Sequence, residues 1–150
     1  MATVFDGGLI ELTSGSPSGG APWTSNTYKL TLVTSSFVAS VGMRYASAFS
    51  GTEISTVSFT AGFGGLIRRT ISGTSLSYNA TSSQLEFVAN AVVWSGLSGG
   101  SLGGAVLLRE SGSDALSPVI AYYPFTNVTT NGGDFTVSAP ASGFLVLSST

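Results

Sequence analysis

Residues 125–149 read FTNVTTNGGDFTVSAPASGFLVLSS, and this closing stretch decides the fold class. Two runs of alternating apolar and polar residues flank turn material, and Asp134 is the single charge. A period of two is the mark of a strand with one buried face. Asn131, Gly132 and Gly133 tolerate positive φ, so the chain turns tightly before Asp134. Phe135 and Val137 then point inward. Pro140 and Gly143 break the chain, and Phe144 to Leu147 make the last strand. That strand is expected inside a sheet, because a flat apolar run at a free edge invites aggregation.

The same pattern extends toward the N-terminus. Pro118 to Phe125 is apolar on both faces, and Ala105 to Arg109 reads as a strand followed by a polar loop through Ser117. Gly96 to Gly104 reads as a glycine-serine loop. Gln84 to Trp94 is the longest candidate strand. Leu85, Phe87, Ala89, Ala91 and Val93 share one of its faces; Val88, Val92 and Trp94 make the second half apolar on the other. That suits a strand covered on both sides. Thr52 to Phe59, Leu66 to Ser72 and Ser75 to Tyr78 are shorter strands, with a turn or bulge over Ala61 to Gly65. Phe37, Val41, Tyr45 and Phe49 recur every four residues, the spacing of a short helical stretch, which Gly42 and several serines weaken. Tyr28, Leu30 and Leu32 alternate with Lys29, Thr31 and Val33, a strand with one buried face. Ser14 to Ser25 is a Ser/Gly/Pro loop holding Trp23, and Gly8 to Leu12 is a short first strand or arm. Many short strands separated by turn signals define an all-β chain. The expectation is a single β-sandwich or jelly-roll-like domain over 26–150, preceded by an N-terminal arm and loop over 1–25.

Composition narrows the chemistry. A chain of 150 residues suits one domain and buries roughly 70% of its unfolded surface. It has no cysteine and no histidine, so disulfides, thiolate metal sites and a Ser-His-Asp triad are excluded. Charged residues make up 8% of the chain, against roughly 25% in an ordinary soluble domain. Their place is taken by 26 Ser and 17 Thr, whose neutral hydroxyls solvate the surface. So few charges suit an assembly or an extracellular setting better than a free cytosolic monomer. Of the five basic residues only Arg68 and Arg69 are adjacent, so nucleic acid is not an expected partner. No apolar run approaches the ~18 residues of a membrane helix, so no membrane partner is expected either. Met1 to Asp6 lacks the features of a signal peptide.

No motif marks a catalytic, cofactor or metal site. Lys29 reads as an exposed residue of its strand, without a serine placed beside it. Glu53, Glu86, Glu110, Asp114 and Asp134 could supply the paired carboxylates of a glycosidase, but their spacing pairs none of them. The glycine runs 62–65 and 99–104 lack the lysine of a phosphate loop and read as turns. Asn79-Ala80-Thr81 and Asn127-Val128-Thr129 match the glycosylation pattern, which is frequent by chance in a Thr-rich chain. Trp94, Tyr122 and Tyr123 sit in apolar strands and read as core. Trp23 lies in a polar segment; with Phe5, Leu9 and Ile10 nearby in sequence it reads either as an anchor that packs on a partner or as a ring folded back onto its own domain.

From Tyr45 onward the chain resembles a group of small all-β virion proteins of tailed bacteriophages. The landmarks are, in order, Thr52-Glu53-Ile54-Ser55, a glycine tract ending in Gly64-Gly65, Tyr78, Leu85, and Val92-Val93-Trp94-Ser95. Ala105-Val106-Leu107-Leu108, Ser117-Pro118-Val119-Ile120-Ala121-Tyr122, Asn131 through Val137, and Ser142-Gly143-Phe144-Leu145 complete them. The segment before Tyr45 does not follow the pattern. The resemblance implies virion structure, often as a capsid decoration (cement) protein, and brings no catalytic residues. The expected partners are then the major capsid protein and further copies of the chain, as a homotrimer on the outer surface of the head. Strands apolar on both faces argue the same way, because they offer more apolar surface than one small core needs, and symmetric oligomers bury such faces. The alternative is a tail or fibre-associated, adhesin-like module that binds host-surface glycan through exposed aromatics; an enzyme is the third reading.

Overall fold

Two long antiparallel strands organise the molecule, β7 (Ser98–Arg109) and β8 (Val119–Asn131). The structure is a computed structural model that describes residues 3–4, 26–40, 42–49, 51–54, 68–139 and 144–148. Around the central pair lie β1 (Thr3–Val4), β2 (Tyr28–Thr34) and β3 (Arg69–Thr70), giving a five-stranded sheet in the order β1-β8-β7-β2-β3. A second layer holds β4 (Ser75–Asn79), β5 (Gln84–Val88) and β10 (Leu145–Ser148) in the order β10-β5-β4. The ribbon of β6 (Val92–Trp94) and β9 (Phe135–Val137) packs on the same core. Every pairing is antiparallel. The chain is all-β and sandwich-like. Among the described residues the helical content is one 3-10 turn, Ala46–Ala48.

The sandwich core fills the space between the layers. Tyr28, Leu30 and Leu32 of β2, Leu102, Ala105 and Leu107 of β7, and Ile120 of β8 meet Phe87, Val92, Trp94, Val137 and Phe144 from the facing strands. The other face of the five-stranded sheet is apolar too. Val33, Val106, Leu108, Val119 and Tyr122 are covered there by Phe37, Ala46 and Phe49. The second face is therefore covered by Phe37, Ala46 and Phe49 of the chain itself. Phe37 packs edge-on against Phe49 and Tyr122, with ring centroids 6.1 and 4.9 Å apart. The four-residue spacing over Phe37, Tyr45 and Phe49 thus marks a folded-back segment with a single 3-10 turn, and no α-helix.

Three further expectations change. Gly96 to Gly104 is largely strand, because β7 begins at Ser98. Gly103 sits at an irregularity opposite the Val33–Thr34 step, where a Cβ would lie 2.6 Å from the Thr34 carbonyl oxygen. A Cβ on Gly104 would lie 2.3 Å from the Tyr122 ring. These glycines serve close approach between strands.

Gln84 to Trp94 is two strands in different ladders. Asn90 donates its N–H to the Ser72 carbonyl, 2.9 Å, and Phe144 donates to the Phe87 carbonyl, 2.7 Å. The first bond holds the 89–91 step to Ser72, outside either ladder. The alternation slips there: Phe87 and Ala89 are buried before it, Val92 and Trp94 after it, while Val93 is 41% exposed. Finally, β10 pairs with β5 alone among the described residues and lies at the edge of its ladder, not inside it. Of Thr52 to Phe59, Glu53 bridges Val33; 55–60 lie outside the described residues, as do Gly8 to Leu12.

The turn at 131–133 forms as expected. Gly132 takes φ 87°, its N–H donates to the Leu97 carbonyl, and Asn131 Oδ1 accepts the Gly133 N–H. Phe135 packs against the core and Val137 is buried within it.

Candidate interaction surface

The cap over the outer face of the five-stranded sheet is built from residues 35–40, 42–49 and 51–54 and the 110–118 connection. Backbone bonds stitch the two together. Ala46 donates to the Ser117 carbonyl (2.9 Å), Ser47 to that of Asp114 (3.2 Å), and Val119 to that of Arg44 (2.9 Å). Tyr45 forms an isolated bridge with Pro118. The 110–118 connection is also braced from within by the buried Ser117, whose Oγ donates to the Ser113 carbonyl at 2.7 Å and accepts the Ser111 N–H at 3.1 Å. Serine suits that place because its hydroxyl can close local turns through backbone groups. On this cross-bonded cap Val38, Tyr45 and Leu116 are exposed to solvent.

An ion cluster locks the cap to the sheet. Arg68 grips Glu53 with two parallel bonds of 2.7 Å, Nε to Oε1 and Nη2 to Oε2. It also donates from Nη1 to Asp114 Oδ1 at 2.5 Å and from Nη2 to Oδ2 at 3.1 Å. Thr31 Oγ1 of β2 donates to Glu53 Oε1 at 2.5 Å. The bond to Arg68 holds the Asp114 carboxyl below its ordinary value, and the Glu53 bond raises the Arg68 guanidinium above its own. A glycosidase needs one carboxyl pushed up to act as acid. Here the same cation claims both groups and pushes Asp114 the other way, so the cluster serves as a clamp. Nothing in the sequence pointed to it, since Arg68 and Asp114 are 46 positions apart.

Lys29 is no free strand residue: it forms an ion pair with Glu110 and is mostly buried. Asn79 Nδ2 donates to Glu86 Oε1 at 3.1 Å. Trp94 is fully buried, as its apolar strand predicts. Tyr122 is buried and donates its hydroxyl to the Gly103 carbonyl, 2.9 Å, while Tyr123 donates to that of Phe144, 2.7 Å. Burial pushes both phenols up. None of these three rings presents a face for stacking on a sugar. The contact set Phe5, Leu9, Ile10 and Trp23 lies outside the described residues. Nearby, the Thr3–Val4 backbone pairs with Tyr122 and Ala121 of β8, so this part of the 1–25 segment lies on the domain.

Among the described residues no three His, Cys, Asp or Glu side chains are grouped to hold a metal ion, and no helix is long and apolar enough to cross a membrane. Comparison with family models, curated proteins and solved structures finds no match.

Proposed function

We propose that this chain is a structural protein of a tailed-phage virion, a capsid decoration (cement) protein that binds the outer surface of the head. The observation that carries the proposal is the braced cap. It offers Val38, Tyr45 and Leu116 to solvent on loops held by backbone bonds, Ser117 and the Arg68 clamp. A stiff surface loses little conformational freedom on docking, so small apolar contacts count for more. Many copies on one lattice then add their contacts, each contributing roughly 25 cal/mol per Å² of apolar area covered. The major capsid protein is the partner in this reading, and the resemblance favours a homotrimer. The apolar outer face of the sheet gives no separate support to the trimer, because the cap covers it.

The test is co-sedimentation of the purified protein with expanded empty heads, followed by electron microscopy of the particle. Wild-type protein binds; Tyr45→Ser/Leu116→Ser binds about tenfold or more weakly while staying folded. Full binding by that variant removes the cap from the contact. Wild-type protein that ignores heads but binds glycan sinks the decoration reading altogether.

A further inference from the structure

Among the described residues the outer edge of β4 has no neighbouring strand. The strand reads Ser75-Leu76-Ser77-Tyr78-Asn79, and it pairs with β5 on one side alone among the described residues. Leu76 lies opposite Phe87 and Tyr78 opposite Leu85, so both sit on the face that Phe87 uses in the core. Phe87 is 2% exposed, whereas Leu76 is 50% and Tyr78 65% exposed. Among the described residues, the apolar face of this layer therefore runs out past the elements that cover it. The usual protections of a sheet edge are absent from this strand: β4 has no charge and no proline, and its pairing with β5 is unbroken.

We infer that β4 pairs with β4 of a second copy, antiparallel about Ser77, joining the two three-stranded ladders into one. The strand is self-complementary about its centre. With Ser77 opposite Ser77, Leu76 of each copy falls opposite Tyr78 of the other on a shared face, and Ser75 falls opposite Asn79. Each cross-strand Leu–Tyr pair is of the kind that stabilises sheets, and no like charges within β4 are brought together. A twofold contact of this sort closes on itself. Leu76 and Tyr78 together expose on the order of 200 Å² per copy, well short of the ~800 Å² per partner of a stable interface. The contact is therefore weak in dilute solution and becomes populated when copies are crowded or held on a scaffold. The inference does not depend on the decoration reading.

The chain has no cysteine, which makes the register testable. Directly opposite residues of antiparallel strands have Cα atoms ~4.5–5.5 Å apart, inside the ~4.4–6.8 Å span of a disulfide. Ser77→Cys in the full chain, in a glutathione redox buffer, is expected to cross-link at least about tenfold faster than Ser82→Cys. Ser82 is exposed at the tip of the same hairpin, and the two tips lie at opposite ends of the joined ladder. Mixed Ser75→Cys and Asn79→Cys chains should form the heterodisulfide in preference to either homodisulfide. Equal rates for the Ser77→Cys and Ser82→Cys chains, or no heterodisulfide preference, overturn the inference. If the protein is already a trimer, the Ser77→Cys variant links pairs of trimers. Failure to bind heads leaves this result untouched.

Discussion

Gly104→Ala tests the packing of the central strands most sharply. The backbone there is not in the positive-φ region, so alanine meets no conformational penalty, and losing a glycine alone would favour the variant by about 0.4–1 kcal/mol. The obstacle is space. A Cβ at 104 would stand 2.3 Å from Tyr122 Cε2 and 2.6 Å from the Tyr123 carbonyl oxygen, where ordinary contact begins at 3.4 Å. The ring must therefore retreat by about 1 Å to restore normal van der Waals separation. It has little room. Its hydroxyl is tied to the Gly103 carbonyl, and Phe37 packs edge-on against it. The Tyr123 carbonyl is backbone of the partner strand β8 itself. Overpacking of a filled core costs about 1–3 kcal/mol, and a clash against backbone belongs at the upper end, about 3 kcal/mol. For a chain of this size that lowers Tm by roughly 6–12 °C. Guanidinium chloride unfolding at constant m measures it. Gly51→Ala, with nothing within 4 Å of its Cβ, is the neutral control. In a Tyr122→Leu background the added penalty should shrink by about half or more, since the ring is one of the two obstacles. A Gly104→Ala variant within about 0.5 kcal/mol of wild type refutes this account of the strand contact.

Three other expectations follow from the interior. Trp94→Ala should destabilise by about 3–5 kcal/mol in the same assay, because the ring is fully buried; a near-neutral result means it faces solvent. Arg68→Ala strands the mostly buried Glu53 carboxylate and should cost about 2 kcal/mol at pH 7, less than a fully buried pair. Because Arg68 depresses the Asp114 pKa, the pair's stabilisation is present above the ordinary aspartate value and is lost as pH falls below about 4. Unfolding at pH 7 and pH 3 should show a smaller acid loss in Arg68→Ala, and an unchanged loss counts against the clamp. For Tyr123 the sign reverses. Burial raises its pKa, so the folded state resists ionisation and stability declines above about pH 10. Tyr123→Phe should flatten that alkaline decline while losing the Phe144 bond at neutral pH.

Much of this architecture is legible in the residues, and the exceptions share a cause. The strands β2, β4 and β9 and the turn at 131–133 were legible from short apolar runs and the turn residues between them. But β2 is buried on both faces, with Thr31 and Val33 fully covered, where alternation predicts a single buried face. The residues of β8 also read as apolar on both sides. What covers the second side was not legible, since Phe37 and Phe49 reach it only once the chain folds back. Glycine carries two meanings: at 132 it supplies positive φ, and at 103 and 104 it supplies room. A sequence shows neither which strand passes close by nor that Asn90 is bonded to Ser72. In Ala89-Asn90-Ala91 a single asparagine, a poor strand former, is the one local sign of the split between β5 and β6, and its bond to Ser72 comes from outside the run. The clamp is invisible for the same reason, because guanidinium and carboxylates converge from distant segments. Exposed Leu76 and Leu116 look like any other core leucine until the layers that fail to cover them are known.

The doubly covered sheet bears on how the molecule would assemble. Among the described residues, the cap buries the outer face of β7 and β8, so that face is not open to another chain. Deleting residues 1–25 separates stability from attachment. The described part of that segment contributes a two-residue ladder, Thr3 opposite Tyr122 and Val4 opposite Ala121. Losing so short a ladder, at about 1 kcal/mol for each backbone bond it holds, should lower stability modestly and leave the sandwich core folded. The truncated chain should keep its β circular dichroism and a cooperative melt shifted by roughly 4–8 °C. Its β8 edge, uncovered, becomes a site for non-native pairing, so aggregation should rise with concentration. If Phe5, Leu9, Ile10 and Trp23 grip a shell, binding to expanded heads falls further than the melt predicts. A Trp23→Ala chain then shows the binding loss without the thermal shift. Equal losses in stability and binding would mean that the segment acts only by completing the sheet, and an unfolded truncation would mean that the arm belongs to the core.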